Sequence, residues 1–261
     1  IHVPSTGIVS YAAVCKVLSH QIETAGGSIR YETNVLGIED SEQGARISTS
    51  AGEIIAGLIV NCAGLRCDQV AEMVGASDGN RIVPFRGEYF EIVPERRDLV
   101  NGLIYPVPDP SFPFLGVHLT RMIDGAVHAG PNAVLALDRE GYRWRDVSAS
   151  QVFEHVTNRG LWKLARKYWR TGAGEVWRSL SKQAFVRALQ RLVPEIRAQD
   201  LEVSPAGVRA QAMGADGQLL DDFAITQVRN SMHVLNAPSP AATASLEIAN
   251  QIVQMIDARE G

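Results

Sequence analysis

The chain has 261 residues, of which 46% are hydrophobic, and a formal charge of −4 at pH 7. That apolar content can build one large core or two small ones. The slight acidity argues against a broad nucleic-acid footprint, so an anionic ligand has to be held by locally placed Arg or His. The apolar runs fall short of a spanning helix and no signal-peptide pattern opens the chain. Cys15, Cys62 and Cys67 are too few and too scattered for a zinc site, which predicts no metal and a reduced, cytoplasmic setting.

The sequence opens on Ile1, and residues 1–7 read as the end of a strand and a turn, so a further segment is expected upstream. Val9, Ala13, Val17, Leu18 and Ile22 recur at helical spacing, and Gly26-Gly27 stops that helix. Short β-like runs follow at residues 28–31, 34–39, 45–49 and 53–55, punctuated by Gly44 and Gly52, which predicts a small meander. Residues 58–64 form a near-continuous apolar run ending in Gly64, the pattern of a parallel strand buried on both faces. A helix is predicted at residues 67–74.

From residue 81 to about 137 the texture changes. Prolines such as Pro84, Pro94, Pro106 and Pro131 separate alternating runs at 87–93 and 114–120, which predicts a second, antiparallel sheet. Residues 148–193 carry helical periodicity through Phe153, Val156, Leu161, Leu164, Trp169, Val176, Leu180, Phe185, Leu189 and Leu192. Their Arg and Lys side chains are expected to form a solvated face. Strands return at 207–213, 223–228 and 232–235. Ser239-Pro240 supplies a helix start, a Ser N-cap with Pro in the first turn, and Leu246, Ala249, Val253 and Ile256 give that helix one apolar face.

No G-x-G-x-x-G phosphate loop occurs in these residues. The nearest match, Gly172-Ala173-Gly174, has Trp177 at the third glycine position and is expected to be an interhelical turn. The usual pyrophosphate cradle at a helix N-terminus is therefore lacking from this sequence.

Three stretches carry a resemblance. They are His2-Val3-Pro4-Ser5-Thr6-Gly7-Ile8-Val9; Tyr105-Pro106-Val107-Pro108-Asp109-Pro110 with residues 114–120 and Ala129-Gly130-Pro131-Asn132-Ala133; and Ala206-Gly207-Val208-Arg209-Ala210-Gln211 with residues 236–243. Together they resemble the D-amino-acid-oxidase-like flavoenzymes, and within them the L-2-hydroxyglutarate oxidase/dehydrogenase family, without the N-terminal nucleotide-binding segment. The resemblance implies a mixed α/β and α+β fold: an incomplete FAD-binding domain plus an antiparallel-sheet substrate domain. Residues 1–80 would belong to the FAD-binding part, 81–200 to the substrate domain, and 201–261 would return to the FAD-binding part.

The same resemblance implies FAD as cofactor and a dicarboxylate 2-hydroxyacid as substrate. Oxygen or a quinone would accept the electrons, with at most peripheral contact with the inner membrane. Val35 would lend its backbone to the adenine, or is an ordinary buried strand residue. Ala63 and Gly64, ending the parallel strand, permit close approach of a cofactor or simply a tight turn. Ser239, Pro240, Ala241, Ala242 and Thr243, at a helix start, offer free N–H groups and a positive dipole end to a reduced flavin, or form an ordinary capped helix. Arg209, in an apolar strand, needs an anionic partner, either a substrate carboxylate or an internal pair with Asp221 or Asp222. His118 is placed by the resemblance as the general base, although a lone strand histidine is often structural. Arg86, Tyr105, Thr120 and Arg121 are further candidates for binding the substrate carboxylates. The alternatives are a related amine or amino-acid oxidase acting on glycine or sarcosine, and a non-catalytic fragment.

Overall fold

A computed structural model of the chain describes residues 2–107, 116–237 and 241–260. In chain order its elements are α1 (Tyr11–Thr24), β1 (Val35–Ser41), β2 (Gly44–Thr49), β3 (Gly52–Ala56), β4 (Ile59–Asn61), α2 (Cys67–Glu72), β5 (Arg81–Ile92), β6 (Leu103–Ile104), β7 (His118–Arg121), β8 (Val127–Gly130), β9 (Val134–Leu135), α3 (Ala149–Thr157), α4 (Arg159–Leu180), α5 (Lys182–Leu189), β10 (Leu201–Met213), β11 (Ala224–Val228), β12 (Ser231–Asn236) and α6 (Ala241–Glu260). They group into two compact units, one of Ile1–Ser10 with Gly79–Leu219 and one of Tyr11–Asp78 with Leu220–Gly261.

In the Tyr11–Asp78 and Leu220–Gly261 unit, α1 stops where Gly26 takes φ +86°, a left-handed conformation that glycine adopts without steric cost. The expected meander is present as the antiparallel sheet β1-β2-β3, but residues 28–31 form no strand. A second sheet has the order β11-β12-β4, with β12 parallel to β4. Every residue of β12 is buried, and Met232 and Val234 pack on Ile252 of α6. Asp40 ties the end of β1 to the β11–β12 turn, accepting from Ser231 Oγ at 2.9 Å and from the backbone N–H of Asn230 at 3.2 Å. The expectation that residues 58–64 form a strand buried on both faces fails. Only 59–61 are extended, and Val60 is 39% exposed. Among the described residues β4 has β12 as its one neighbour, which puts it at the sheet edge.

In the Ile1–Ser10 and Gly79–Leu219 unit, one antiparallel sheet runs β10-β5-β8-β7-β6, with β9 also paired to β5. Residues 201–213 are recruited into it because β10 pairs along nearly the whole of β5, from Leu201 opposite Ile92 to Met213 opposite Arg81. Three helices follow one another with a side-chain cap at each start: Ser148 Oγ accepts from Gln151 N, Asn158 Oδ1 from Leu161 N, and Ser181 Oγ from Ala184 N. Helix α5 lays Phe185, Val186 and Leu189 on Ile92, Leu119, Val127, Ala129 and Leu201. The Phe185 ring meets that of Phe90 at 4.8 Å. Burial of a side chain of this size contributes roughly 1.5–3 kcal/mol. Gly172 and Gly174, expected in an interhelical turn, lie inside α4. The departure from helical geometry comes earlier, at Tyr168, and the helix continues beyond it.

Candidate active site

The site is built on the six-stranded sheet. β7 pairs with β8 so that His118 lies opposite Gly130 and Thr120 opposite His128, and Glu91 of β5 lies opposite His128 in turn. Side chains alternate along a strand. Counting along β5 from Glu91 to Phe85, which pairs with Arg209, places His118, Thr120 and Arg209 on one face of the sheet. Val117 and Leu119 take the other face, Leu119 within the α5 core, which leaves His118 turned away from it.

His118 is 9% exposed. Its Nδ1 lies 3.1 Å from the carbonyl oxygen of Gly116. A carbonyl can only accept, so Nδ1 carries the ring proton and Nε2 is the basic nitrogen of the neutral ring. Burial pushes its pKa below the ordinary 6.5; the Gly116 hydrogen bond opposes that shift and the charge of Arg209 adds to it. The Arg209 guanidinium is thus close enough to His118 to disfavour a second positive charge. Among the described residues Arg209 has no carboxylate partner.

Tyr105 follows β6, and its ring lies stacked on His118 with centroids 4.5 Å apart and planes 18° apart. Its hydroxyl is 3.4 Å from Thr120 Oγ1. Beside it opens a cleft of about 710 Å3 lined by His2, Val3, Thr6, Asn101, Tyr105 and Arg121 among others, within the range of small-molecule sites. Arg121 is partly engaged, donating from Nη1 to the carbonyls of Val100 at 3.0 Å and Arg97 at 3.4 Å.

Arg86 is placed apart from this group. It is 2% exposed, donates to Glu88 Oε1 at 3.2 Å and packs 4.5 Å from the centroid of the Trp144 ring. Alternation along β5 turns it to the face opposite Phe85, where Glu88 answers its charge.

The residues expected at the cofactor lie in the other unit. Val35 opens β1, opposite Thr49, and is 39% exposed. Ala63 and Gly64 follow the carboxyl end of β4, and the Ala63 N–H donates to Asn61 Oδ1 at 3.0 Å. Gly64 has φ +54°, and a Cβ there would meet no atom within 4 Å. This turn is open to a flat group approaching the backbone, at the sheet edge where ligands of parallel strands collect. Ala241, Ala242 and Thr243 form the first turn of α6, which follows the carboxyl end of the parallel strand β12. Ser239 and Pro240 lie outside the described residues. The set fits the flavin end of FAD: small residues, an open backbone turn and a helix start.

Two further histidines are buried, neither of which the sequence singles out as a site residue. His233 is fully buried, with Nδ1 3.0 Å from Asn61 Nδ2 and, among the described residues, no partner for Nε2. His155 is 8% exposed and lies 3.1 Å from Gln151 Nε2, next to the Arg139–Glu154 pair. Burial lowers the pKa of both. Only the apolar neighbours of His233 in its strand hinted at this.

The family model described as FAD dependent oxidoreductase matches residues 1–255. The chain belongs to this FAD-dependent oxidoreductase family. Within it, the chain is 50% identical over 255 residues to an L-2-hydroxyglutarate dehydrogenase of Indibacter alkaliphilus, covering 97% of this chain and 64% of that protein. It is 46% identical over 257 residues to the enzyme of the same name from Escherichia coli strain K12, covering 98% of this chain and 61% of that one. The chain thus spans a little over three fifths of the length of these curated relatives. Among solved structures, reduced L-alpha-glycerophosphate oxidase from Mycoplasma pneumoniae with FAD bound superposes with a TM-score of 0.67 at 19% identity, covering 94% of this chain and 55% of that one. That likeness concerns the fold, which is the mixed architecture of the family.

Proposed function

We propose that this chain carries substrate and cofactor residues of an FAD-dependent oxidation of L-2-hydroxyglutarate to 2-oxoglutarate. The observation that carries the reading is that His118, its basic Nε2 set by Gly116, lies on the same sheet face as Arg209, whose charge bears on it. The names and 46–50% identities of the relatives support the substrate class.

Oxidation of a 2-hydroxyacid removes a proton from the hydroxyl and a hydride from C2. In this reading His118 Nε2 accepts the hydroxyl proton, and its lowered pKa keeps it neutral and ready at pH 7. Arg209 binds a carboxylate through a charge-assisted, bidentate contact, which orients C2. Tyr105 and Arg121 line the cleft offered to the second carboxylate, with Thr120 beside the Tyr105 hydroxyl, while Arg86 is held by Glu88 and Trp144. When bound, FAD supplies the hydride acceptor. Ala63, Gly64, Ala241, Ala242 and Thr243, with Ser239 and Pro240, would hold its flavin, and Val35 its adenine. We place the reaction in the cytoplasm, with oxygen or a quinone as final acceptor and at most peripheral contact with the inner membrane.

The test is to supply the purified protein carrying these residues with FAD, a dye acceptor and L-2-hydroxyglutarate, and to quantify 2-oxoglutarate. Glycine and sarcosine serve as competitors. Turnover of an amine with none of hydroxyglutarate overturns the assignment.

A further inference from the structure

Helix α4 concentrates charge and aromatic surface in a chain that is acidic overall. Over Arg159–Leu180 it has six basic residues, Arg159, Lys163, Arg166, Lys167, Arg170 and Arg178, against one acid, Glu175. Glu175 is already committed, accepting from Arg178 and from the Ala133 N–H. The apolar positions along the helix do not all turn inward. Leu164 is buried, whereas Trp162 is 60% exposed, Trp169 63%, Trp177 62% and Leu180 68%. Trp169 and Leu180, beyond the break in helical geometry at Tyr168, are separated by about three turns and so form one outward stripe, and Trp162 is exposed on the segment before that break. Arg166 and Arg170 run along its side. At the end of the preceding helix α3, Phe153 and Val156 are also exposed, and Trp162 Nε1 donates to the Val156 carbonyl.

So many large exposed apolar side chains on one helix mark a binding surface. The chemistry of its border selects the partner. Cores of protein–protein interfaces are poor in lysine, but Lys163 and Lys167 flank this stripe. Tryptophan favours the headgroup level of a bilayer, and interleaved Arg and Lys meet anionic headgroups there. Among the described residues no helix is long and apolar enough to cross a membrane. A basic helix with a tryptophan stripe instead lies in the interfacial plane. We propose that α4, with the Phe153–Val156 end of α3, is a docking surface for anionic lipid bilayers. It gives a surface to the peripheral membrane contact of the proposed function, and because binding is read without turnover, it succeeds or fails separately from the proposed reaction.

Three of the four tryptophans of the chain lie on α4, so intrinsic fluorescence reports on this surface directly. The full chain is mixed with vesicles of phosphatidylcholine alone or of phosphatidylcholine with phosphatidylglycerol. Co-sedimentation with the anionic vesicles, a blue shift of the emission and quenching by brominated lipid are expected, with binding weakened by salt. Arg166→Ala with Arg170→Ala is expected to weaken that binding about thirtyfold. Trp162→Ser with Trp169→Ser, both at exposed positions, is expected to abolish it while the far-ultraviolet circular dichroism stays unchanged. Bromolipid quenching of the unsubstituted chain serves as the readout where a variant misfolds. Absence of both co-sedimentation and quenching overturns the proposal. So does a dimer in sedimentation equilibrium that the Trp162→Ser/Trp169→Ser variant disperses, because a second copy of the chain would then occupy the stripe.

Discussion

The ring of Tyr105 lies over that of His118, 4.5 Å centroid to centroid and within 18° of parallel, while its hydroxyl reaches toward Thr120. The stack covers a face of the imidazole and restrains its rotation. Tyr105→Phe keeps the ring and should leave the pH profile in place. Tyr105→Ala removes a contact worth about 0.5–1.5 kcal/mol and opens His118 to water. The acid limb of kcat/KM should therefore move toward 6.5. Equal profiles for both variants would show that the ring does not position the base.

His118→Gln preserves hydrogen-bonding capacity but removes the proposed proton acceptor. The rate of 2-oxoglutarate formation should fall by roughly 10²–10⁴-fold, with a smaller change in KM. A loss confined to KM would make His118 a binding group rather than a base.

Arg209→Gln removes the charge-assisted contact proposed for the substrate carboxylate, worth about 1.5–3 kcal/mol. KM should rise about tenfold to a hundredfold. The substitution also removes a positive charge that helps to hold the His118 pKa down. The acid limb should therefore move upward in pH, an effect that a purely structural arginine would not produce.

His118, His155 and His233 all have pKa values lowered by burial from 6.5. The unfolded chain binds protons at these sites at a higher pH than the folded chain does. Stability should thus be fully expressed above about pH 6.5, where all three are neutral in both states, and decline as pH falls below that value. Urea midpoints measured across this range test the sign. In His233→Gln the decline should be shallower, because its buried ring no longer has to be protonated.

Phe185 is fully buried between Phe90 and the rest of the α5 core. Phe185→Ala should cost about 3–5 kcal/mol, read as a lowered denaturation midpoint. A cost under about 1 kcal/mol would mean that α5 does not anchor the sheet.

Much of the fold is legible residue by residue. Gly44 and Gly52 punctuate a meander, Gly26 stops a helix, and the periodicity over residues 148–193 marks the three helices whose starts the structure shows capped by Ser148, Asn158 and Ser181. The two longest described strands extend beyond their sequence patterns at their proline-bearing ends. β5 begins at Arg81 rather than 87 and contains Pro84; β10 begins at Leu201 rather than 207 and contains Pro205. Proline lacks a donor and reads locally as a strand breaker. Here the register shift between Ser204 and Gly207 accommodates Pro205, while Pro84 still accepts from Ala136 N.

The candidate site was legible in its residue types and less so in their partners. Arg86 and Arg209 look alike in sequence, each in an apolar run. Register separates them. Arg209 pairs with Phe85, and Arg86 with Val208, so the two point to opposite faces of the sheet, where one meets Glu88 and Trp144 and the other the field of His118. A one-residue change in pairing exchanges the two faces, and nothing local to either strand sets that register.

The sequence by itself determined most of the elements, the family to which the chain belongs and the candidacy of His118 and Arg209 for 2-hydroxyacid chemistry. Tertiary structure alone decided which nitrogen of His118 is basic, which arginine is already neutralised and which tryptophans of α4 face outward. Helical and strand periodicities are local and survive in the amino-acid order. Burial and charge compensation arise only when strands far apart in sequence pair and helices choose the face they cover.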